Sequence, residues 1–218
     1  MRLYIGFDPR EAIGSYAFIH SLLKKSSKPV EIVPLTGNQA DGTNAFTYAR
    51  FSIPQLCNWT GFALFADGAD MLLRADINEL WEMRNPDYAV QVVKHEYKTK
   101  HPRKYLGTEL EADNHDYPRK NWSSLVIWNC GHPAHLEARE KLSGTDGKYL
   151  HRFSWLNDEE IGSLPVEWNW LADEYGENYK AKLLHWTAGI VGFRRYRNAP
   201  HAAEWLEAYR EVNTGYQL

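Results

Sequence analysis

Two spacings of apolar residues take turns along the first hundred positions. "LYIGF" (3–7), "VEIVPL" (30–35), "GFALFAD" (61–67) and "YAVQVV" (88–93) are short, nearly unbroken apolar runs and read as buried strands. Between them, "REAIGSYAFIHSLLKK" (10–25) has apolar residues at helical spacing and closes on lysines, which favour a helix C-terminus. "AFTYARFSIPQL" (45–56) reads as helical, interrupted or ended by Pro54. "DINELW" (76–81) reads as a short helix capped by Asp76, with Glu79 three residues on, an Asp-led capping box. The alternation predicts a mostly parallel sheet with helices on both faces. In such sheets functional groups gather beyond the C-terminal ends of the strands. Here those ends are Phe7–Asp8, Pro34–Thr36, Asp67–Asp70 and Lys94–His95.

The second half is less regular. Residues 95–121 are polar, lack a period and are too long for an ordinary connection, which predicts a functional or mobile loop. "WSSLVIWN" (122–129) reads as a strand and "PAHLEAREKL" (133–142) as a helix with Pro at its start. A short helix and a turn are expected within 151–171, a strand ending near His185, and a last helix over 202–212. No internal repeat or low-complexity segment is visible.

Composition narrows the function classes. With 218 residues, 44% hydrophobic and 24% charged, the chain reads as one globular domain. A formal charge of −3 and only one short basic stretch, "KTKHPRK" (98–104), argue against a nucleic-acid partner. No apolar run approaches the roughly 20 residues that span a bilayer, so no transmembrane segment is expected. "MRLYIGF" followed by "DPRE" lacks signal-peptide anatomy, and the expected location is cytoplasmic. The sequons at Asn58 and Asn121 then carry no meaning as glycosylation sites. Cys57 and Cys130 make neither a disulfide framework nor a zinc motif. Nine Trp and 13 Tyr supply flat faces that suit sugar rings or bases, although most such side chains form core.

The stretch "ALFADGADMLL" (63–73) holds the candidate chemistry. Residues two apart share a face of a strand, so Asp67 and Asp70 would point apart on a straight one. Gly68 permits a bulge or tight turn that brings both carboxylates to one point. Two carboxylates that close repel unless a cation lies between them, and hard oxygen ligands suit Mg²⁺ or Mn²⁺. A solvated surface turn would have the same spacing. Position at the carboxyl end of a buried strand, ahead of a capped helix, favours convergence.

"TYARFSIPQL" (47–56), "ALFADGADMLL" (63–73) and "DINELW" (76–81) together resemble the retaining glycosyltransferases of the GT-A fold, of the glycogenin and lipopolysaccharide galactosyltransferase kind, glycosyltransferase family 8. The likeness continues more weakly through "NWSSLVIWN", "WLNDEEIGSLPVEWN" and "LLHWTAG". It implies an α/β GT-A fold, a Rossmann-like, mostly parallel sheet flanked by helices, with a smaller mixed strand/helix C-terminal half. It implies a single domain over 1–218, with a nucleotide-binding half (1–94) and a donor-sugar and acceptor half (95–218). By the same resemblance Asp67, Asp70 and His185 hold Mn²⁺, or Mg²⁺, against the diphosphate of a nucleotide sugar, and the imidazole favours Mn²⁺. The family has D-x-D where this chain has D-x-x-D, so Asp67 must reach the metal through the glycine bend or through water.

Further roles follow from the same likeness. Arg50 points at the donor sugar and the first aspartate. Phe7, Asp8 and Tyr16 match positions that hold uracil and ribose, and Asp8 also reads as a helix cap. Asn121, Trp122 and Ser123 begin a strand that contacts the donor sugar. Asp158 and Glu159 match a region beneath the anomeric carbon, where Asp158 is the nucleophile candidate; an acid-rich first helical turn reads the same way. Trp168 and Asn169 shape the acceptor side or the core. "AGIVGF" replaces the family's phosphate-touching element after His185, with Arg194 and Arg195 as substitutes. The implied enzyme is a glycosyltransferase of hexosyltransferase type. It moves a sugar from a UDP-sugar to an acceptor hydroxyl on a glycan, lipid-linked sugar or protein, with retention through either an enzyme nucleophile or same-face attack. The rival readings are a sugar-nucleotide nucleotidyltransferase and a non-catalytic carbohydrate-binding protein.

Overall fold

The computed structural model describes residues 1–37, 43–144 and 146–214. The chain runs β1 (Arg2–Gly6), α1 (Ala12–Lys25), β2 (Glu31–Leu35), α2 (Ile53–Leu56), β3 (Phe62–Ala66), β4 (Met71–Leu73), α3 (Ile77–Trp81) and β5 (Val90–Val92). It continues through β6 (Arg103–Lys104), β7 (Ala112–Asp113), β8 (Leu125–Asn129), α4 (Pro133–Glu137), α5 (Arg139–Leu142) and α6 (Gly147–His151). The last elements are β9 (Ile161–Ser163), β10 (Trp170–Leu171), α7 (Ala172–Tyr175), β11 (Leu183–His185) and α8 (Ala202–Thr214).

Six strands form the main sheet in the order β2-β1-β3-β8-β5-β9. Every pair is parallel except those made by β8, which is antiparallel to both β3 and β5. Side chains alternate between its two faces as strand geometry requires. Tyr4, Phe65 and Val126 enter one core with Phe51, Trp128 and Phe153. Leu3, Ile5, Leu64 and Ile127 enter the other with Phe18 and Leu22 of α1. A second sheet, β10-β11-β4, packs through Leu72 and Leu184 into a third cluster with Trp186 and Trp205. No helix among the described residues is long and apolar enough to cross a membrane.

The predicted elements are present with local changes. A 3-10 turn over Ala49–Ser52 leads into α2, and Pro54 sits in the first turn of that helix. A proline there gives up an N–H that has no helical partner anyway, so Pro54 opens the helix and does not end it. The predicted helix over 133–142 breaks at Ala138 into α4 and α5. Asp76 caps α3 by accepting from the Asn78 N–H at 3.0 Å, whereas Glu79 takes Lys182 Nζ at 2.5 Å. The polar stretch 95–121 carries the β6–β7 hairpin, and residues 122–124 form a 3-10 turn ahead of β8.

Candidate active site

The stretch "DGAD" is where the chain leaves one sheet for another. β3 ends at Ala66 in the six-stranded sheet, and β4 begins at Met71 in the three-stranded one. Gly68 makes the turn with a φ of +84°, a conformation that side chains with a Cβ rarely adopt. The Asp67 N–H donates to Ser124 O at 2.9 Å, and the Met71 N–H to Gly68 O at 3.1 Å. Helix α1 backs the bend closely: a Cβ on Gly14 would lie 2.0 Å from Ala69 O.

Strand pairing brings the third group. β11 runs antiparallel to β4 with His185 opposite Met71, and the Trp186 N–H donates to Asp70 O at 2.9 Å. His185 is therefore set beside Asp70, with Nε2 lying 3.3 Å from Asp70 Oδ2. Its Nδ1 lies 2.9 Å from Asn169 Oδ1. An amide oxygen only accepts, so Nδ1 carries the hydrogen and Nε2 faces the carboxylates. Asn169 is fixed in turn, because its Nδ2 donates to Ser124 Oγ at 2.8 Å and that hydroxyl donates to Asn121 O at 2.7 Å.

Charge is balanced tightly around this point. Arg50, only 6% exposed, donates from Nη1 to Asp67 Oδ1 at 2.5 Å and to Ser123 O at 3.0 Å. Its Nε donates to Thr47 O at 3.1 Å, and its guanidinium lies 4.8 and 5.1 Å from the ring centres of Phe65 and Phe46. Burial pushes the Asp67 carboxyl up to about 6, with Arg50 pulling it down and Asp70 pushing it further up. Burial works against a charged His185, yet the Asp70 and Asp67 carboxylates hold its pKa above the ordinary value. Glu11, 1% exposed, is driven to about 8 by burial and then by Asp70, Asp8 and Asp67.

The ligand atoms of Asp67, Asp70 and His185 all lie within 4.8 Å of one another. Asp70 Oδ1 is buried and has no hydrogen-bond partner. A buried carboxylate oxygen left bare is costly, and a cation bound there would satisfy it. Two carboxylates and an imidazole with Nε2 presented make a donor set that fits a divalent transition ion such as Mn²⁺.

Asp67 and Asp70 open onto a cavity of about 590 Å³ between the end of β3, the β6–β7 hairpin and α6. Asp67, Asp70, Arg50, Asn121 and Ser123, all expected at the site, line it together. Five other expected residues are absent from the lining. His185 is 2% exposed beside Asp70 and does not reach the cavity wall. Asp8 is spent as a helix cap, its oxygens accepting from Arg10 N at 2.9 Å, Arg10 Nη2 at 2.6 Å and Ala45 N at 2.9 Å. Tyr16 is 54% exposed on α1, and Phe7 precedes Asp8 beyond β1. The Asp158 side chain is 78% exposed and pairs with Arg119 Nη2 at 2.5 Å.

Several site residues escaped the sequence reading. Lys104 and Tyr105 reach the cavity from the hairpin inside the aperiodic 95–121 stretch, where no period marked them. His151 lines it from α6, and its Nδ1 lies 2.8 Å from Ser123 Oγ. The resemblance places Asn169 on the acceptor side or in the core, whereas the structure sets it behind His185. Its position behind His185 makes it a positioning residue. Asn169→Ala is expected to weaken Mn²⁺ binding by about 10- to 100-fold, the usual cost of losing such support, as read by calorimetry. Unchanged affinity would show that the ring needs no help.

No family model matches the chain. Solved structures match along nearly all of it at low identity. Galactosyltransferase LgtC, solved with donor and acceptor sugar analogues, aligns with 97% of this chain and 96% of its own at 10% identity and a TM-score of 0.64. The bifunctional glycosyltransferase WbbM aligns with 98% of this chain at 16% identity and a TM-score of 0.62, and this chain spans only 51% of it. The glycosyltransferase GlyE of Streptococcus pneumoniae TIGR4 aligns with 99% of this chain and 62% of its own at 13% identity and a TM-score of 0.60. The predicted GT-A fold is therefore the fold found. Protein CDI of Arabidopsis thaliana is 37% identical over 231 aligned positions that cover 97% of this chain and 87% of that protein. At that identity along nearly its whole length, the chain belongs to the protein CDI family, built on the GT-A glycosyltransferase fold.

Proposed function

We propose that this protein is a metal-dependent glycosyltransferase that moves a sugar from a nucleoside diphosphate sugar, a UDP-sugar, to an acceptor hydroxyl with retention. The observation that carries the reading is the buried Asp67–Asp70–His185 cluster with its bare Asp70 oxygen, set in a large polar cavity of a GT-A fold. The bound ion, Mn²⁺ on this donor set, would neutralise charge developing on the departing diphosphate. The chain's own groups do the rest. Arg50 fixes the Asp67 carboxylate and keeps it ionised against burial. Asn169 holds the His185 tautomer that leaves Nε2, beside Asp70, free to take an ion. Asn121, Ser123 and His151, which line the same cavity, offer polar contacts to the sugar. Because Asp158 is exposed and bound to Arg119, the reading takes same-face attack over an enzyme nucleophile at that residue.

Thermal melting with UDP, with and without Mn²⁺, tests the proposal. Stabilisation by UDP only when Mn²⁺ is present is the expected result. Stabilisation by free sugar alone would point to a carbohydrate-binding protein. A response to nucleoside triphosphate with sugar phosphate would point to a nucleotidyltransferase. Among rival roles, only the transferase produces free UDP and a glycosylated acceptor when mixed UDP-sugars are supplied, which mass spectrometry detects.

A further inference from the structure

Among the described residues, Lys104 is a cation beside the site's carboxylates that no carboxylate pairs with directly. It ends β6, and the hairpin carries it to the wall of the cavity that also holds Asp67 and Asp70. Among the described residues its ammonium makes no hydrogen bond or salt bridge; its Nζ lies 5.4 Å from the centre of the Tyr105 ring. Burial lowers its pKa, and the carboxylates of Asp70, Asp67 and Glu11 push the other way. The position is fixed. The Tyr105 N–H donates to Ala188 O at 2.7 Å and the Leu106 N–H to Tyr196 Oη at 2.8 Å, so the hairpin is tied to the segment after His185. Tyr105 itself sits at a φ of +55°, an uncommon conformation for a bulky residue and one that surrounding structure has to hold.

The other cation of the site is not available to a ligand in the same way. Arg50 already serves Asp67, Ser123 O and Thr47 O. An ammonium near the two aspartates repels a divalent ion placed between them. Both cations are favourable together when a polyanion lies against them, as a diphosphate would. We propose that Lys104 is the second cation for the donor's diphosphate and makes binding of the divalent ion and of the diphosphate mutually dependent. This rests on reading the cavity as a nucleotide-sugar site. Coupling of this kind is reciprocal: whatever UDP does for the affinity of Mn²⁺, Mn²⁺ does for the affinity of UDP.

Calorimetric titrations of the full chain, wild type, Lys104→Met and Lys104→Arg, test it with three probes: Mn²⁺ alone, UDP with Mn²⁺, and uridine with Mn²⁺. Lys104→Met keeps the stem and removes the charge. It is expected to bind UDP with Mn²⁺ about 10- to 100-fold more weakly than wild type, the value of one charge-assisted hydrogen bond. It should bind Mn²⁺ alone at least as tightly as wild type, and uridine equally. Lys104→Arg should restore most of the UDP affinity. Unchanged UDP affinity in Lys104→Met overturns the proposal. So does a parallel loss for Mn²⁺ alone, which would mean that the hairpin had merely come loose. If wild type binds no UDP in the presence of Mn²⁺, the nucleotide-sugar reading itself falls, and the proposal with it.

Discussion

Asparagine in place of Asp70 is expected to remove metal-dependent sugar transfer while leaving the fold intact. Asp70 is the residue on which the site converges: Oδ2 faces His185 Nε2 at 3.3 Å and Oδ1 is buried with no partner. The amide is close to the same size, so packing against the bend survives. It has no charge and presents an N–H₂ where a ligand oxygen stood. Turnover with Mn²⁺ should fall by about 10³-fold, which corresponds to ~4 kcal/mol of lost transition-state stabilisation. Stability without metal should stay level or rise, because an incompletely satisfied buried charge has gone. Rates of UDP release and a thermal melt of the same sample read both halves. A variant that turns over within tenfold of wild type, with the same Mn²⁺ requirement, would remove Asp70 from the site.

Arg50→Met should damage both stability and activity. Its guanidinium lies against the rings of Phe46 and Phe65 and pairs with the carboxylate of Asp67. Methionine fills much of the space but leaves that carboxylate without its charge partner. Breaking a buried pair from one side costs about 3–5 kcal/mol. In a chain of this size that corresponds to a melting point lower by roughly 6–20 °C. The Asp67 carboxyl, already up at about 6, is driven higher by the loss and takes up a proton at neutral pH. A protonated Asp67 is a poor metal ligand, so Mn²⁺ affinity falls as well. The double variant Arg50→Met with Asp67→Asn separates the effects: it should recover part of the stability, because no charge is stranded, and none of the metal affinity. Full stability in Arg50→Met alone would show that the ion pair is not what holds the end of β3.

The sequence carried the frame of this site more clearly than its walls. The strands were legible because each run is apolar on both faces; Leu3 and Ile5 fill one core while Tyr4 fills the other. The glycine bend was legible because a pair of acids three residues apart converges only if the backbone turns between them, and Gly68 does turn, at a φ of +84°. His185 was found by resemblance, and the pairing of β11 with β4 supplies the physical reason it stands beside Asp70.

What escaped depends on contacts between distant segments. The hairpin strands β6 and β7 are two residues each, too short to leave a period, so nothing beyond the short basic stretch ending at Lys104 marked this hairpin as part of the site. Asp8 had two readings, ligand contact and helix cap, and the structure shows the cap, with Arg10 and Ala45 taking both of its oxygens. Asp158 looked central from its motif, and only the fold places its side chain at the surface against Arg119. The helical run at 133–142 gave no hint of its break at Ala138.

The central claim is that Asp67, Asp70 and His185 together hold one divalent ion to which a diphosphate binds. Anomalous scattering at the manganese edge from crystals grown with Mn²⁺ and UDP tests it most directly. The account predicts a single strong peak bonded to an oxygen of each aspartate and to His185 Nε2, with the diphosphate on its open side. UDP bound in the cavity with no manganese peak among these three side chains, or with the peak elsewhere, would contradict it.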